Sequence, residues 1–251
     1  MKKLSFHSLS KWFATCGALG ILALGAFIPT TVSAATTQAP RCGADDLKCI
    51  ISAGDLLINN RLNSLNSLKT KITDDQTARK LTDAQANELL SDVSTNVSGL
   101  QSLKTKLDAE NVAKEARKDV ANMYTQFRIY AVVLPRDHRH VLLDIEVNAH
   151  DKMVSAEPTI QNAITRAPAD QQDKLNALFN DYKQNVAGAE VQFNTANQAL
   201  PQMTPEDFNQ HRVAYEATRK SLDNATKTAR QDLSKAADDL KQIVKILGHD
   251  I

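Results

Sequence analysis

In 251 residues, 30 Lys and Arg balance 29 Asp and Glu, and only 5% of side chains are aromatic. A net charge of +1 supplies no field that would gather nucleic acid or an anionic membrane surface. The patterning is helical nearly everywhere and strand signals are nearly absent, which excludes the sandwich, barrel and Rossmann classes and the functions built on them.

The chain opens as a secretory signal. Lys2, Lys3 and Lys11 precede an apolar run from Phe13 to Ile28, and Val32-Ser33-Ala34 offers the small residues of a cleavage site. The run falls short of the roughly 20 residues of a spanning helix. The expectation is a signal peptide over 1–34, an N-terminal tail over 35–45 and one helical-bundle domain over 46–251, secreted and extracytoplasmic, in the periplasm or at the cell surface. Loss of the three lysines turns the charge balance slightly acidic. Two cysteines, Cys42 and Cys49, then remain, and in an oxidising compartment they are expected to pair.

The first helix is predicted from Asp46 to about Ile72, with Ile51, Ile58, Leu62, Leu65, Leu68 and Ile72 as its apolar face. "TDDQTARK" reads as a polar turn. Thr82 and Gln85 form a capping box for a second helix, whose stripe is Leu89, Val93, Val97, Leu100, Leu103 and Leu107. The stripe continues through Val112, Ala116, Val120, Met123, Phe127, Tyr130 and Leu134 to Pro135. Phe127 to Leu134 is expected as buried helix and Arg136 to His140 as a polar turn, capped by Asp137, that lets the chain reverse. A further helix should run from Asp137 until Pro158 kinks or breaks it.

The last third carries heptad seams. Leu175, Tyr182, Ala189 and Ala196 recur every seven residues, as do Phe179, Val186, Phe193 and Leu200. Pro201 to Thr204 is the loop. Thr204 caps a final helix with Pro205 in its first turn, and its seam is Phe208, Tyr215, Leu222, Ala229, Ala236 and Ile243. That helix is predicted at about 40 residues, roughly 65 Å at 1.5 Å per residue. The fold class is therefore all-α: an elongated antiparallel helical bundle with a long C-terminal helical hairpin, as a monomer or homodimer.

Chemistry is sparse. His140 with Asp144, and Glu146 with His150, stand one helical turn apart, and each pair offers two metal ligands. A metal would need further ligands from another helix, and Glu146-x-x-x-His150 misses the Glu-x-x-His spacing of helical di-metal proteins by one residue. No Gly-x-Ser-x-Gly, His-Glu-x-x-His or phosphate loop occurs. The sequence predicts no enzyme, no metal and no cofactor. Arg128 and Arg136 are expected to pair with acids on neighbouring helices, and Tyr124, Phe127 and Tyr130 to pack in the core.

Two resemblances can be read from these residues. Tyr124-x-x-Phe127-Arg128-x-Tyr130-x-x-Val133-Leu134-Pro135, with "ARQDLSKAADDLKQIV" near the end, resembles a group of uncharacterised secreted bacterial proteins with an aromatic-Arg-x-Tyr-x-aliphatic-x-x-Pro motif between two helical halves. That resemblance implies an all-helical extracytoplasmic protein, with Phe127, Arg128, Tyr130 and Pro135 as its defining corner. "LTDAQ" at 81–85 is similar to the Leu-Thr-x-x-Gln motif of Spy-type periplasmic chaperones, and Met203-Thr204-Pro205-Glu206-Asp207 is a looser second copy. The leading functional reading is a non-catalytic secreted or cell-envelope protein acting as a structural, spacer or adaptor element, with a protein or envelope component as partner. The alternative is a Spy-like chaperone or client-binding module.

Overall fold

The computed structural model describes residues 41–248. The signal segment, and the tail as far as residue 40, lie outside the described residues. Every regular element among the described residues is helical, and the long helices pack antiparallel. We number them α1 (Leu47–Thr77), α2 (Asp83–Asp108), α3 (Ala113–Asn122), α4 (Leu134–Thr165), α5 (Ala169–Ala199), α6 (Pro205–Gln210) and α7 (Arg212–Ile246). Two π-helical turns, Met123–Phe127 and Ile129–Val133, join α3 to α4. No helix among the described residues is long and apolar enough to cross a membrane.

The chain divides into two compact units. Residues 41–145 with Asn197–Leu222 form the first, and Glu146–Ala196 with residues 223–248 the second. The division falls inside α4, α5 and α7, each of which contributes residues to both.

In the first unit, the Cys42–Cys49 disulfide is formed, with Cα atoms 5.6 Å apart. Asp46 caps α1 by accepting from the Cys49 amide at 3.0 Å, so the bridge closes over a turn that the cap already shapes. Arg117 of α3 donates to the carbonyls of Gly43 and Ala44 and ties that loop to the bundle. α1 runs past Ile72 through the stretch expected as a turn. Buried Asp75 explains the extension: Lys71 and Lys80 both pair with its carboxylate, at 2.7 and 3.1 Å, and its carbonyl accepts from the Lys80 amide at 2.8 Å. The turn proper is made at Arg79, with φ 56°. The capping box then opens α2 as predicted, with the Thr82 amide donating to Gln85 Oε1 at 2.9 Å. α1 and α2 run antiparallel. Gln76 meets Asp83 beside the turn, and Asp55 meets Lys104 at the far end.

The second unit holds the heptad seam. Leu175, Phe179, Tyr182, Val186, Ala189, Phe193 and Ala196 of α5 are all buried. Opposite them lie Ala229, Leu233, Ala236 and Ile243 of α7, and Met153, Ala156, Ile160 and Ile164 of α4, also buried. Tyr182 is the one seam residue with a polar end to satisfy, and its hydroxyl donates to the Met153 carbonyl at 2.7 Å. α5 and α7 approach closely where small residues allow it: a Cβ on Gly188 would stand 3.1 Å from Asp232 Oδ2.

Two prolines and one histidine divide the chain differently from the sequence expectation. Pro135 is the second residue of α4, a first-turn position that its fixed φ suits. Arg136 to His140 is therefore the first turns of a helix, and the chain does not reverse there. Pro158 lies inside α4 without ending it. It is exposed, as is Val154, whose carbonyl loses its helical donor, so water can take the vacated bond. Pro168 does mark the gap between α4 and α5. The final helix is interrupted at His211 (φ −130°, ψ 46°), which separates six-residue α6 from 35-residue α7. Thr204 caps α6, accepting from the Asp207 amide at 3.0 Å.

Candidate functional site

The motif region lies wholly in the first unit, and it is not the buried helix its apolar run predicts. A π turn carries one extra residue per hydrogen-bonded ring and concentrates at functional positions. Two of them in succession here flank Arg128, whose backbone is left-handed (φ 46°, ψ 37°). A non-glycine residue in that region costs roughly 1–2 kcal/mol. Three amides, those of Ala131, Val132 and Val133, converge on the Arg128 carbonyl at 2.8 to 3.3 Å. Packing pulls the chain into this shape. Met123, Ile129, Val132 and Val133 all reach the interior, and the Phe127 ring packs against Gly99 of α2 through Cε1 and Cζ. A regular helix cannot bury that set and seat Phe127 as well.

The result places two tyrosines over one arginine. Arg61 of α1 has its guanidinium carbon 4.7 Å from the Tyr124 ring centroid and 5.0 Å from that of Tyr130. Tyr124 is 43% exposed and Tyr130 38%, whereas Arg61 is 5% exposed. The Tyr130 hydroxyl lies 3.3 Å from Ser64 Oγ. Tyr124 and Tyr130 are thus surface residues covering a cation, which corrects their assignment to the core; Phe127 is half-buried.

Arg128 is held from α6. Its Nε donates to Asn209 Oδ1 at 2.8 Å, and Asn209 Nδ2 donates to the Thr125 carbonyl at 2.7 Å. Its guanidinium also lies 5.0 Å from the Phe208 ring centroid, where Arg212 approaches to 3.7 Å. An amide and a ring, not an acid, are therefore its partners, contrary to the expected ion pair. Arg136 does pair with acids, with Asp137 at 2.7 Å and Asp92 of α2 at 3.4 Å. Pro135 has its place in starting α4 directly after the second π turn.

A second group of polar residues runs along the α2–α4 contact. Asp137 is 1% exposed. Burial drives its carboxyl up to about 6 despite the Arg136 guanidinium beside it. Asp144, 8% exposed, is pushed up to about 7 by burial and by the charge of Glu88, against a stabilising hydrogen bond from Gln85. His140 Nε2 stands 3.8 Å from Asp144 Oδ2, too far for a hydrogen bond, and that oxygen is buried without a partner. His138 and His140 are both lowered, chiefly by burial.

Of the four weighed ligands, His140 and Asp144 belong to this seam in the first unit. Glu146 and His150 belong to the second unit, where each has other partners. Arg230 Nε donates to Glu146 Oε1 at 2.8 Å. His150 sits edge-on to Phe193, with centroids 5.8 Å apart, and its Nδ1 is 3.1 Å from Asp151 Oδ1. No group of three or more His, Cys, Asp or Glu side chains suited to a metal gathers among the described residues. The second unit also carries a shallow groove lined by Asp181, Gln184, Asn185, Lys235, Asp238 and Asp239.

Arg61 is a buried residue that the apolar stripe does not include, yet the sequence carries a signal for it. It stands three residues after Ile58 and four before Leu65, in the buried register of α1. Leu62, placed in the stripe instead, is only half-buried. An arginine at a core-facing position is the anomaly to look for. The two Leu-Thr-x-x-Gln-like segments stand at helix starts, where Thr82 and Thr204 serve as caps.

Comparison of the chain with protein-family models, with curated proteins and with solved structures finds no match.

Proposed function

We propose that this chain is a non-catalytic, extracytoplasmic helical protein, a structural or adaptor element that docks a protein or envelope partner through the Tyr124–Arg61–Tyr130 corner of its first unit. The observation that carries this reading is the left-handed Arg128 between two π turns. The backbone accepts strain there, and the product is a pair of exposed tyrosines over a cation. Tyrosine and arginine are the side chains that most often dominate protein interfaces, and stored strain marks places where shape matters more than stability. The disulfide and the basic, apolar leader support an oxidising compartment outside the cytoplasm. Buried Asp75, Asp119, Asp137 and Glu146 are each paired with a cation, in keeping with a structural role for these acids.

The test is site-specific photocrosslinking in the source cell. A benzophenone amino acid replaces Tyr124 or Tyr130, with Val191 of the second unit, 60% exposed, as the control. A discrete adduct from 124 and 130 but not from 191 is the expected result. Equal labelling at all three, or none at the corner, overturns the reading. Amino-terminal sequencing of the exported protein should begin at Ala35.

A further inference from the structure

Arg61 carries a charge that the described fold does not balance. Its Nη1 donates to the Leu57 carbonyl at 2.9 Å, its Nε is buried without a partner, and no acidic side chain pairs with it among the described residues. Burying an ion without a counter-charge is costly, and two ring faces offset only part of that cost. Its neighbours in the register are Ile58 and Leu65, and an apolar residue would fill the position without that cost.

The two chain segments that frame Arg61 are also devoid of acid. No Asp or Glu occurs from residue 56 to 73 on α1, nor from 120 to 136 across the two π turns. These two stretches supply Arg61, Ser64, Tyr124, Tyr130 and Arg128. The first 40 residues contain no Asp or Glu either. Among residues 249–251, Asp250 is the one acid.

We propose that Arg61, framed by Tyr124 and Tyr130, receives a carboxylate presented by an acidic polypeptide segment of the docking partner. This rests on the corner being the docking face. A guanidinium is suited to a planar carboxylate, and a hydroxyl donor beside it adds to the set; Ser64 gives its own proton to the Asn60 carbonyl at 3.0 Å, so the Tyr130 hydroxyl beside it is the donor here. The half-exposed tyrosine rings admit the acid from solvent and then shield it. A single arginine matches a singly charged group better than a phosphate, whose greater charge calls for several cations.

The experiment is a nuclear magnetic resonance titration of the protein, following Arg61 Nε–Hε and the rings of Tyr124 and Tyr130 at constant ionic strength. The probe is an acetylated, amidated tetraglutamate peptide, with tetraglutamine and inorganic phosphate as comparators. Saturable shifts confined to these groups, with tetraglutamine silent and phosphate at least roughly tenfold weaker, are expected. Arg61→Lys should weaken the peptide about tenfold, since the fork is lost and the charge kept. Should that variant fail to fold, Tyr130→Phe keeps the ring and removes one hydroxyl, and a loss of about threefold is expected. No saturation at Arg61, equal response to tetraglutamine, or tighter binding of phosphate overturns the proposal. So does a shift of the Arg61 signal in the free protein on Asp250→Asn, which would place the carboxylate within the chain. A corner that crosslinks a partner in the cell yet ignores the peptide would refute the carboxylate and leave the docking face standing.

Discussion

The Phe127 ring rests on Gly99 so closely that a Cβ at position 99 would come within 2.5 Å of ring carbon Cε1. The contact fixes where the π-turn segment meets α2, so it is the place to test whether packing imposes the corner. In an ordinary helix Gly→Ala gains about 1 kcal/mol. Here the added methyl must displace an aromatic ring, and overpacking of that kind costs about 1–3 kcal/mol. Gly99→Ala should therefore destabilise the protein by about 1 kcal/mol in urea unfolding, and Gly99→Ala with Phe127→Leu should recover most of it. A stabilised single variant would mean that the ring is free to move.

Arg128 gives a sharper test, because its backbone reverses the usual order of residues. In a helix interior alanine is better than glycine by about 1 kcal/mol. At φ 46° the preference inverts, since only glycine enters the left-handed region without penalty. Both substitutions lose the hydrogen bond to Asn209 and the stacking on Phe208. Arg128→Gly should therefore be more stable than Arg128→Ala by about 1 kcal/mol in thermal or urea melts. Alanine ahead of glycine would show a regular helix running through position 128.

These two residues also mark where the sequence stopped being legible. Hydrophobic period and caps are local signals, and they located the seam of α5 from Leu175 to Ala196, the capping box at Thr82 and the helix start at Thr204. The disulfide followed from two cysteines at close spacing. The corner is a different kind of fact. Met123, Phe127, Tyr130 and Leu134 keep helical spacing, so the apolar pattern reads as an unbroken helix. The π turns accompany the burial of Met123, Ile129, Val132 and Val133 and the seat of Phe127 on Gly99, contacts that a local spacing does not reveal. Pro135 reads in the sequence as a helix end, whereas it stands in the first turn of α4, where its fixed φ is accommodated. Arg61 was hidden by the same stripe logic, which selects leucines and skips a cation in their register.

Asp144 gives the pH dependence a definite sign. It faces Gln85 and Glu88 of α2 and His140 of its own helix, with Asp92 and Arg136 further along the same contact. Its folded pKa of about 7 lies above the ordinary value of 3.8. Between the two, the folded protein holds a proton that the unfolded chain releases, so stability falls as pH rises through that window and levels off above it. Asp137, at about 6, acts in the same direction. His138 and His140 act oppositely: lowered by burial, they oppose folding as pH drops below 6.5, and they mask part of the carboxylate slope in the native protein. Asp144→Asn isolates one contribution. The amide keeps the shape, can still bond Gln85, and carries no charge to strand beside Glu88. The variant should match the parent near pH 4 and exceed it by about 1–2 kcal/mol at pH 8, a fraction of the dry-site value because water reaches part of the seam. Urea unfolding of both proteins at a series of pH values measures the gap. A difference that stays constant with pH, or that is largest in acid, would show that Asp144 is ionised and satisfied in the fold.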